Sequence, residues 1–215
     1  LRKLWTCKIT DYDGRVFKIS QAFLQVPPVQ KPGPRIYLAA NSPKTRQLVG
    51  RYGDGWLAEM ISPERYKADL NDVKNAAQEA GRNLGDIDVT CVVTTAVSQD
   101  GETARKAALS QAKRRFVWWP KQLQVYGYRV TEEFDWNHLT VRRDTAKRIG
   151  EHIPEVPDKP CEDVTIFGTP DDCIGRVERY IESGVNHFEF EIVGPYAATC
   201  QILAKKIIPH FAEET

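Results

Sequence analysis

The sequence predicts an α/β fold, a parallel sheet with helices outside it, built from a strand–helix unit repeated four times. Three observations carry this. Short apolar runs at residues 36–40, 56–61, 87–97 and 188–193 read as strands. A stretch with helical spacing follows each run. Small polar residues followed by proline (Ser42-Pro43, Ser62-Pro63, Thr169-Pro170) mark helix starts, where the missing proline N–H costs nothing.

In chain order, residues 1–6 read as the end of a helix. Residues 11–19 read as a hairpin, with Asp13-Gly14 as the turn and Val16, Phe17 and Ile19 as strand. Pro27, Pro28, Pro32 and Pro34 make an extended connector. The strand at 36–40 ends in small residues, Ala39 and Ala40. Asn41 and Ser42 then cap a helix running to about Gly50, with Leu48, Val49 and Tyr52 on its apolar face. Gly53 and Gly55 close that helix and lead into the strand at 56–61. The next helix begins at Ser62-Pro63 and stops at Gly81. The β-branched run at 87–97 is the third strand, and the alanine-rich stretch from Thr103 to about Val117 is helical. The rhythm breaks at about 118–164, an aromatic-rich excursion with Trp118-Trp119, Tyr126, Tyr128 and Trp136 and a helix expected from Thr140 to Ile153. Thr169-Pro170 opens a helix with Cys173, Ile174, Val177, Tyr180 and Ile181 on one face. Gly184 ends it, 188–193 is the last strand, and a helix at 197–211 closes the chain. Four units make either an open sheet or half of an eight-stranded barrel, within a single α/β domain over residues 1–215.

Composition narrows the function classes. The 215 residues are 41% apolar and 27% charged, with a net charge of +1, which excludes an electrostatic nucleic-acid or membrane-surface partner. No run is long and apolar enough to span a bilayer, and the first residues lack the apolar core of a signal peptide, so a cytoplasmic location is expected. The chain does not start with Met, as in a fragment or a processed product. Five cysteines without a paired spacing read as free thiols, and four scattered histidines give no metal site.

The 36–45 stretch is the first candidate site. A strand that turns at once into a helix offers outward N–H groups and the positive end of the helix dipole to an anion. A phosphate-bearing cofactor and a plain capped turn both account for Ala39, Ala40, Asn41, Ser42 and Thr45.

Residues 36–43 (Ile-Tyr-Leu-Ala-Ala-Asn-Ser-Pro), followed by 48–56 (Leu-Val-Gly-Arg-Tyr-Gly-Asp-Gly-Trp), resemble the luciferase-like flavin or F420-dependent oxidoreductase family. Residues 167–172 (Phe-Gly-Thr-Pro-Asp-Asp) and 181–188 look like the same family's last helix and strand, and the branch that resembles methylenetetrahydromethanopterin reductase fits best. The resemblance implies a TIM-barrel-like (β/α)8 fold of which this chain is the second half, strands five to eight. The first half, which in the family usually holds the catalytic acid or base, has no counterpart here. It implies that the cofactor's phosphate end sits on Ala39, Ala40, Asn41 and Ser42, with Thr45 one turn on. The implied activity is hydride transfer between coenzyme F420, or FMN, and a small organic substrate. An FMN-dependent monooxygenase is the alternative within enzymes. A catalytically incomplete half-barrel serving as a cofactor-binding or structural subunit is the alternative outside them. A half-barrel implies a homo-oligomer, or pairing with a chain that supplies the missing half.

Glu59 is the candidate catalytic residue, because it ends a strand whose carboxyl end faces the active site of a barrel. A surface glutamate is the plain alternative. Glu189 and Glu191 alternate with Phe188 and Phe190 and are expected in ion pairs. Trp56 is expected in the core, and Lys44 and Arg46 on a solvated helix face. Trp118, Trp119, Tyr126, Tyr128 and Trp136 wall either a planar ligand or a subunit contact, and Arg142 and Arg143 read as a solvated pair.

Overall fold

The computed structural model describes residues 1–131 and 143–212. Phe134, Asp135, Trp136, Arg142, the Arg143 side chain and the start of the helix expected from Thr140 lie outside the described residues. The chain divides into two compact units, Leu1–Tyr37 and Leu38–Thr215.

The first unit holds a 3-10 turn, Leu4–Thr6, where a helix end was expected, and an antiparallel hairpin of β1 (Thr10–Asp13) and β2 (Lys18–Ala22). The turn is longer than Asp13-Gly14 alone. The Gly14 N–H donates to the Phe17 carbonyl at 3.0 Å, so Val16 and Phe17 are exposed turn residues and the second strand begins at Lys18.

The second unit runs β3 (Tyr37–Ala39), α1 (Pro43–Tyr52), β4 (Gly55–Glu59), α2 (Pro63–Glu79), β5 (Asp88–Val97), α3 (Gly101–Trp118), α4 (Pro120–Val125), α5 (Arg143–His152), α6 (Asp158–Asp163), β6 (Thr165–Gly168), α7 (Pro170–Glu182), β7 (His187–Ile192), α8 (Tyr196–Ile202), a π-helical turn (Leu203–Ile207) and α9 (Ile208–Ala212). The four expected strands are present, and β6 is a fifth, at residues to which the sequence assigns no element. The expected α/β class, with its parallel sheet, is borne out. β5 is the hub. Its first half pairs with β4 (Gly55↔Asp88 to Glu59↔Val92) and its second half with β6 (Thr94↔Thr165 to Val97↔Gly168). β7 pairs from Thr90↔His187 to Thr95↔Ile192 and so overlaps both registers. One edge of β5 therefore carries β7, and the other carries β4 and then β6 in line. β4 stops at Glu59, where β6 takes over.

Alternation along β5 divides the core. Val89, Cys91, Val93 and Val97 join Trp56 and Ala58 against Val49 of α1, Tyr66 and Val73 of α2, and Val177 and Tyr180 of α7. Ala96, on the opposite face, joins Met60 and Phe167 against Ala108, Ala112 and Phe116 of α3 and Leu123 of α4. The excursion after β5 is thus a second helical layer near the carboxyl ends of the strands.

The α1–α2 packing corrects two expectations. Leu48 and Tyr52 are exposed, 47% and 67%, while the buried residues of α1 are Arg46, Val49 and Gly50. Gly50 lets the helices cross at close range, because a Cβ there would stand 2.5 Å from the Val73 carbonyl oxygen. Arg46, expected in solvent, is 2% exposed. Its guanidinium meets Asp69 at 3.0 Å and Asp72 at 2.8 Å, both on α2. Two carboxylates on the facing helix make that burial tolerable.

Candidate active site

The carboxyl edge of the parallel sheet is formed by the ends of β3 and β4 and by the helices that follow β5. In open and closed α/β sheets this edge is where ligands bind. Ala40 is 1% exposed, its N–H donating to the Leu57 carbonyl and its carbonyl accepting from Trp56 Nε1 at 2.9 Å. Trp56 is fully buried, as expected, and stacks on Tyr66 with centroids 4.6 Å apart. The two strand ends are thereby held in fixed relation.

The β3–α1 turn is a closed capping box. Ser42 Oγ accepts from the Thr45 N–H at 3.3 Å, and Thr45 Oγ1 accepts from the Ser42 N–H at 3.1 Å. Ser42 is therefore a true N-cap, and its N–H and that of Thr45 each donate to the other residue's hydroxyl oxygen. Ala39, Asn41 and Ser42 are exposed. Asn41 is the residue of this turn that lines a narrow cleft of about 10 Å³, which Glu59, Met60, Ile61, Arg65, Asp69, Gln122, Val125 and Tyr126 also line. The turn and the candidate carboxylate thus share one concavity.

Glu59 is not a loose surface carboxylate. Its Oε2 lies 2.7 Å from Arg115 Nη2, and Arg115 Nη1 lies 2.5 Å from Glu191 Oε2. Thr94 Oγ1 donates to the same Glu191 oxygen at 2.6 Å, and Gln111 Nε2 to Glu191 Oε1 at 3.2 Å. The Arg115 guanidinium also lies 5.3 Å from the centre of the Trp119 ring. One arginine in the last turns of α3 therefore joins the end of β4 to the end of β7. The pairing expected for Glu191 is present; Glu189 is exposed. Arg115 carried no motif to single it out, and a basic residue in an alanine-rich helix gives no sign of its partners.

Met60, directly after Glu59, is buried and has φ 53°, the left-handed region. For a long unbranched side chain this costs about 1–3 kcal/mol and persists only where neighbours enforce it. The neighbour is Tyr126. Its hydroxyl accepts from the Ser62 N–H at 2.9 Å and donates to the Met60 carbonyl at 3.4 Å. Burial pushes the Tyr126 phenol up to about 12. Tyr126 also meets Phe116 edge to face, 5.9 Å between centroids. Of the aromatics in the excursion, Trp118 packs in the second core, while Trp119 and Tyr128 are exposed. Among the described residues no group of three or more His, Cys, Asp or Glu could hold a metal ion, and no helix is long and apolar enough to cross a membrane.

Comparison with known proteins meets this geometry. 5,10-Methylenetetrahydromethanopterin reductase of Archaeoglobus fulgidus is 27% identical over 214 residues, 97% of this chain and 63% of that protein. An F420-dependent glucose-6-phosphate dehydrogenase of Amycolatopsis mediterranei is 24% identical over 192 residues, 88% of this chain and 52% of that protein. Among solved structures, the coenzyme F420-dependent tetrahydromethanopterin reductase from Methanopyrus kandleri superposes with TM-score 0.75 at 20% identity, over 98% of this chain and 60% of that one. An F420-dependent secondary alcohol dehydrogenase with an F420–acetone adduct gives TM-score 0.72 at 21% identity, over 96% and 57%. At such identity the superpositions speak for the fold. The chain spans about half to three fifths of the length of these relatives. A strand ending in Ala-Ala-Asn-Ser-Pro, the Gly-Asp-Gly-Trp entry to β4 and the capped α7 all lie within residues 1–187, which match the model of the luciferase-like monooxygenase family, and the chain belongs to that family.

Proposed function

We propose that this chain is the cofactor-anchoring half of an oxidoreductase that passes a hydride between coenzyme F420 and a small organic substrate. The observation that carries the reading is the shared narrow cleft, which Asn41 of the β3–α1 turn and Glu59 at the end of β4 both line. The F420-dependent activity named for the Amycolatopsis mediterranei relative, and the F420 named for the two solved structures, support the choice of cofactor.

The turn fits a phosphate-bearing group, by a narrower set of donors than the sequence implied. Ser42 and Thr45 satisfy each other, so the donors left are the Asn41 amide, which has no hydrogen bond among the described residues, and the first-turn N–H of Lys44. Buried Ala40 allows close backbone approach and Ala39 flanks it. F420 supplies the hydride chemistry at its deazaflavin ring when bound. On the protein side, Glu59 and Arg115 form a polar wall that orients the substrate. The sheet is read as half of an eight-stranded barrel. In support, β3 has β4 as its strand partner and β7 has β5, which leaves one edge of each open among the described residues. A second copy, or a chain with the complementary strands, would close those edges. Five free cysteines fit a reducing, cytoplasmic compartment.

The family description favours one further reading, an FMN-dependent monooxygenase. Two titrations separate them. Quenching of F420 fluorescence together with oxygen-independent F420 turnover supports the first reading. An FMN difference spectrum with oxygen uptake from reduced FMN, and no F420 response, replaces it with the second. If neither cofactor binds, the chain is a structural subunit and both fall.

A further inference from the structure

We propose that the open groove between the first turns of α3 and α7 binds a small zwitterion, a molecule with a carboxylate and an ammonium a few bonds apart, Arg176 taking the carboxylate and Asp172 the ammonium. The groove holds about 510 Å³, a ligand-sized space, and shares no lining residue with the narrow cleft of Asn41 and Glu59. The site is independent of the cofactor reading.

Asp172 and Arg176 stand one turn apart on α7, the spacing at which opposite charges commonly pair. Here they do not pair, because other partners draw each away. Asp172 Oδ2 accepts from the Thr169 N–H at 2.9 Å and from Thr169 Oγ1 at 2.7 Å, closing the cap of α7. Gly168 allows this fold-back, since a Cβ there would stand 2.6 Å from the Asp172 Cβ. The Arg176 guanidinium lies over the Phe167 ring, 3.8 Å from its centre. Its Nη1 donates to the carbonyls of Glu162 at 3.1 Å and Thr165 at 3.4 Å. Two opposite charges are thus held apart on one wall of the groove.

The unspent atoms define the ligand. Arg176 is half-buried and pairs with no carboxylate among the described residues, and its Nε and Nη2 have no acceptor there. Burial lowers its pKa, the mark of a guanidinium short of water, yet it stays a cation at neutral pH. Asp172 Oδ1 has no donor among the described residues. The hydrogen bonds from Thr169 hold the Asp172 carboxyl below the usual carboxylate range, so it is an anion at neutral pH. Other charges in the lining are spent. Arg105 meets Glu162 at 2.7 Å and Asp158 at 2.8 Å, and Asp100 caps α3 through the Glu102 N–H and the Thr103 hydroxyl. A plain anion at Arg176 is repelled by Asp172, and a plain cation at Asp172 by Arg176. A zwitterion answers both, with two charge-assisted contacts.

Three probes of similar length and different charge test this at low salt: 4-aminobutyrate, butyrate and butylamine. Each is titrated into the isotope-labelled chain and followed by NMR at the Gly101 and Gly168 amides, both in the groove lining. 4-Aminobutyrate shifts both resonances and binds about tenfold more tightly than either of the others. Asp172→Asn keeps an acceptor for the Thr169 cap and lowers 4-aminobutyrate affinity about tenfold, to that of butyrate. Arg176→Gln lowers it about as far, to that of butylamine. Asp171→Asn makes the same change of charge at an exposed neighbour outside the lining and leaves the affinity within about twofold. Butyrate or butylamine binding as tightly as 4-aminobutyrate overturns the proposal, and so does the absence of any shift with 4-aminobutyrate. These comparisons need only the wild-type protein. Unchanged affinity in Asp172→Asn, shown to be folded by far-UV circular dichroism, overturns it independently.

Discussion

The Tyr126 hydroxyl accepts the Ser62 N–H at 2.9 Å and so ties α4 to the N-cap of α2, with left-handed Met60 and ion-paired Glu59 immediately upstream. Tyr126→Phe leaves that amide without its acceptor at a part-buried position. The expected loss is about 1–2 kcal/mol, a fall in melting temperature of roughly 2–8 °C, read by urea and thermal unfolding. The phenol adds a pH signature. Its pKa is raised from the ordinary value near 10 to about 12 because burial disfavours the phenolate. The neutral phenol's stabilising contribution is therefore fully present below about pH 10 and is lost as pH rises towards 12. Wild type should lose more stability than Tyr126→Phe between pH 9 and pH 11. Parallel pH profiles would count against the latch.

Arg115 is the only described cation that reaches both Glu59 and Glu191. Removing it in Arg115→Met leaves two partly enclosed carboxylates facing each other. Side-chain exposures of 13% for Arg115, 30% for Glu59 and 32% for Glu191 put the loss at about 1–3 kcal/mol, below that for a fully buried pair. Arg115→Lys should recover less than half of it, since an ammonium cannot reproduce the planar fork that meets two carboxylates. Urea unfolding of the three proteins decides this. Full recovery by lysine would mean that charge alone, without fork geometry, holds α3 to the sheet.

The α1–α2 contact gives the largest expected effects. Arg46→Ala strands Asp69 and Asp72 against a cavity and should cost about 3–5 kcal/mol. Nη1 of Arg46 is near Asp69 yet makes no aligned hydrogen bond, so the pair acts more by charge than by geometry. Gly50→Ala places a methyl group 2.5 Å from the Val73 carbonyl oxygen, a backbone atom that cannot rotate away, and should cost about 1–3 kcal/mol. Arg51→Ala is the control. Its pair with Glu79 at 3.4 Å is exposed, and the change should stay within about 0.5 kcal/mol.

Local rules made much of the fold legible and missed what depends on distant partners. The strand at 36–40, the Ser42 and Ser62 caps and the glycine stops follow from propensity and capping, which act over a few residues. The burial of Arg46 did not follow, because its reason lies on α2, where Asp69 and Asp72 stand 23 and 26 residues later. β6 does not stand out in the sequence because four residues between two helices give no period, and its strand character comes from pairing with β5. The site divides in the same way. Asn41 and Glu59 were visible as the polar ends of apolar runs. Arg115 and Gln111 lie in a helix whose sequence holds no record of which strands it covers, and Tyr126 is visible as an aromatic of the excursion while its bond to the Ser62 N–H is not.

Asn41 and Ser42, adjacent in the turn, have separable expected roles. Ser42 closes the capping box, so Ser42→Ala should cost about 1 kcal/mol of stability. Asn41 is exposed and has no hydrogen bond among the described residues, so Asn41→Ala should leave the melting temperature unchanged within about 1 °C. Cofactor binding should follow the reverse order. Loss of the Asn41 amide donor should weaken F420 binding by roughly tenfold, about 1.4 kcal/mol, as for a hydrogen bond to a charged group. Ser42→Ala leaves that donor in place and should shift affinity far less. Thermal unfolding and F420 fluorescence titration of the two variants give the full matrix. A Ser42→Ala protein that loses F420 while Asn41→Ala keeps it would move the anchor from the Asn41 amide to the cap itself.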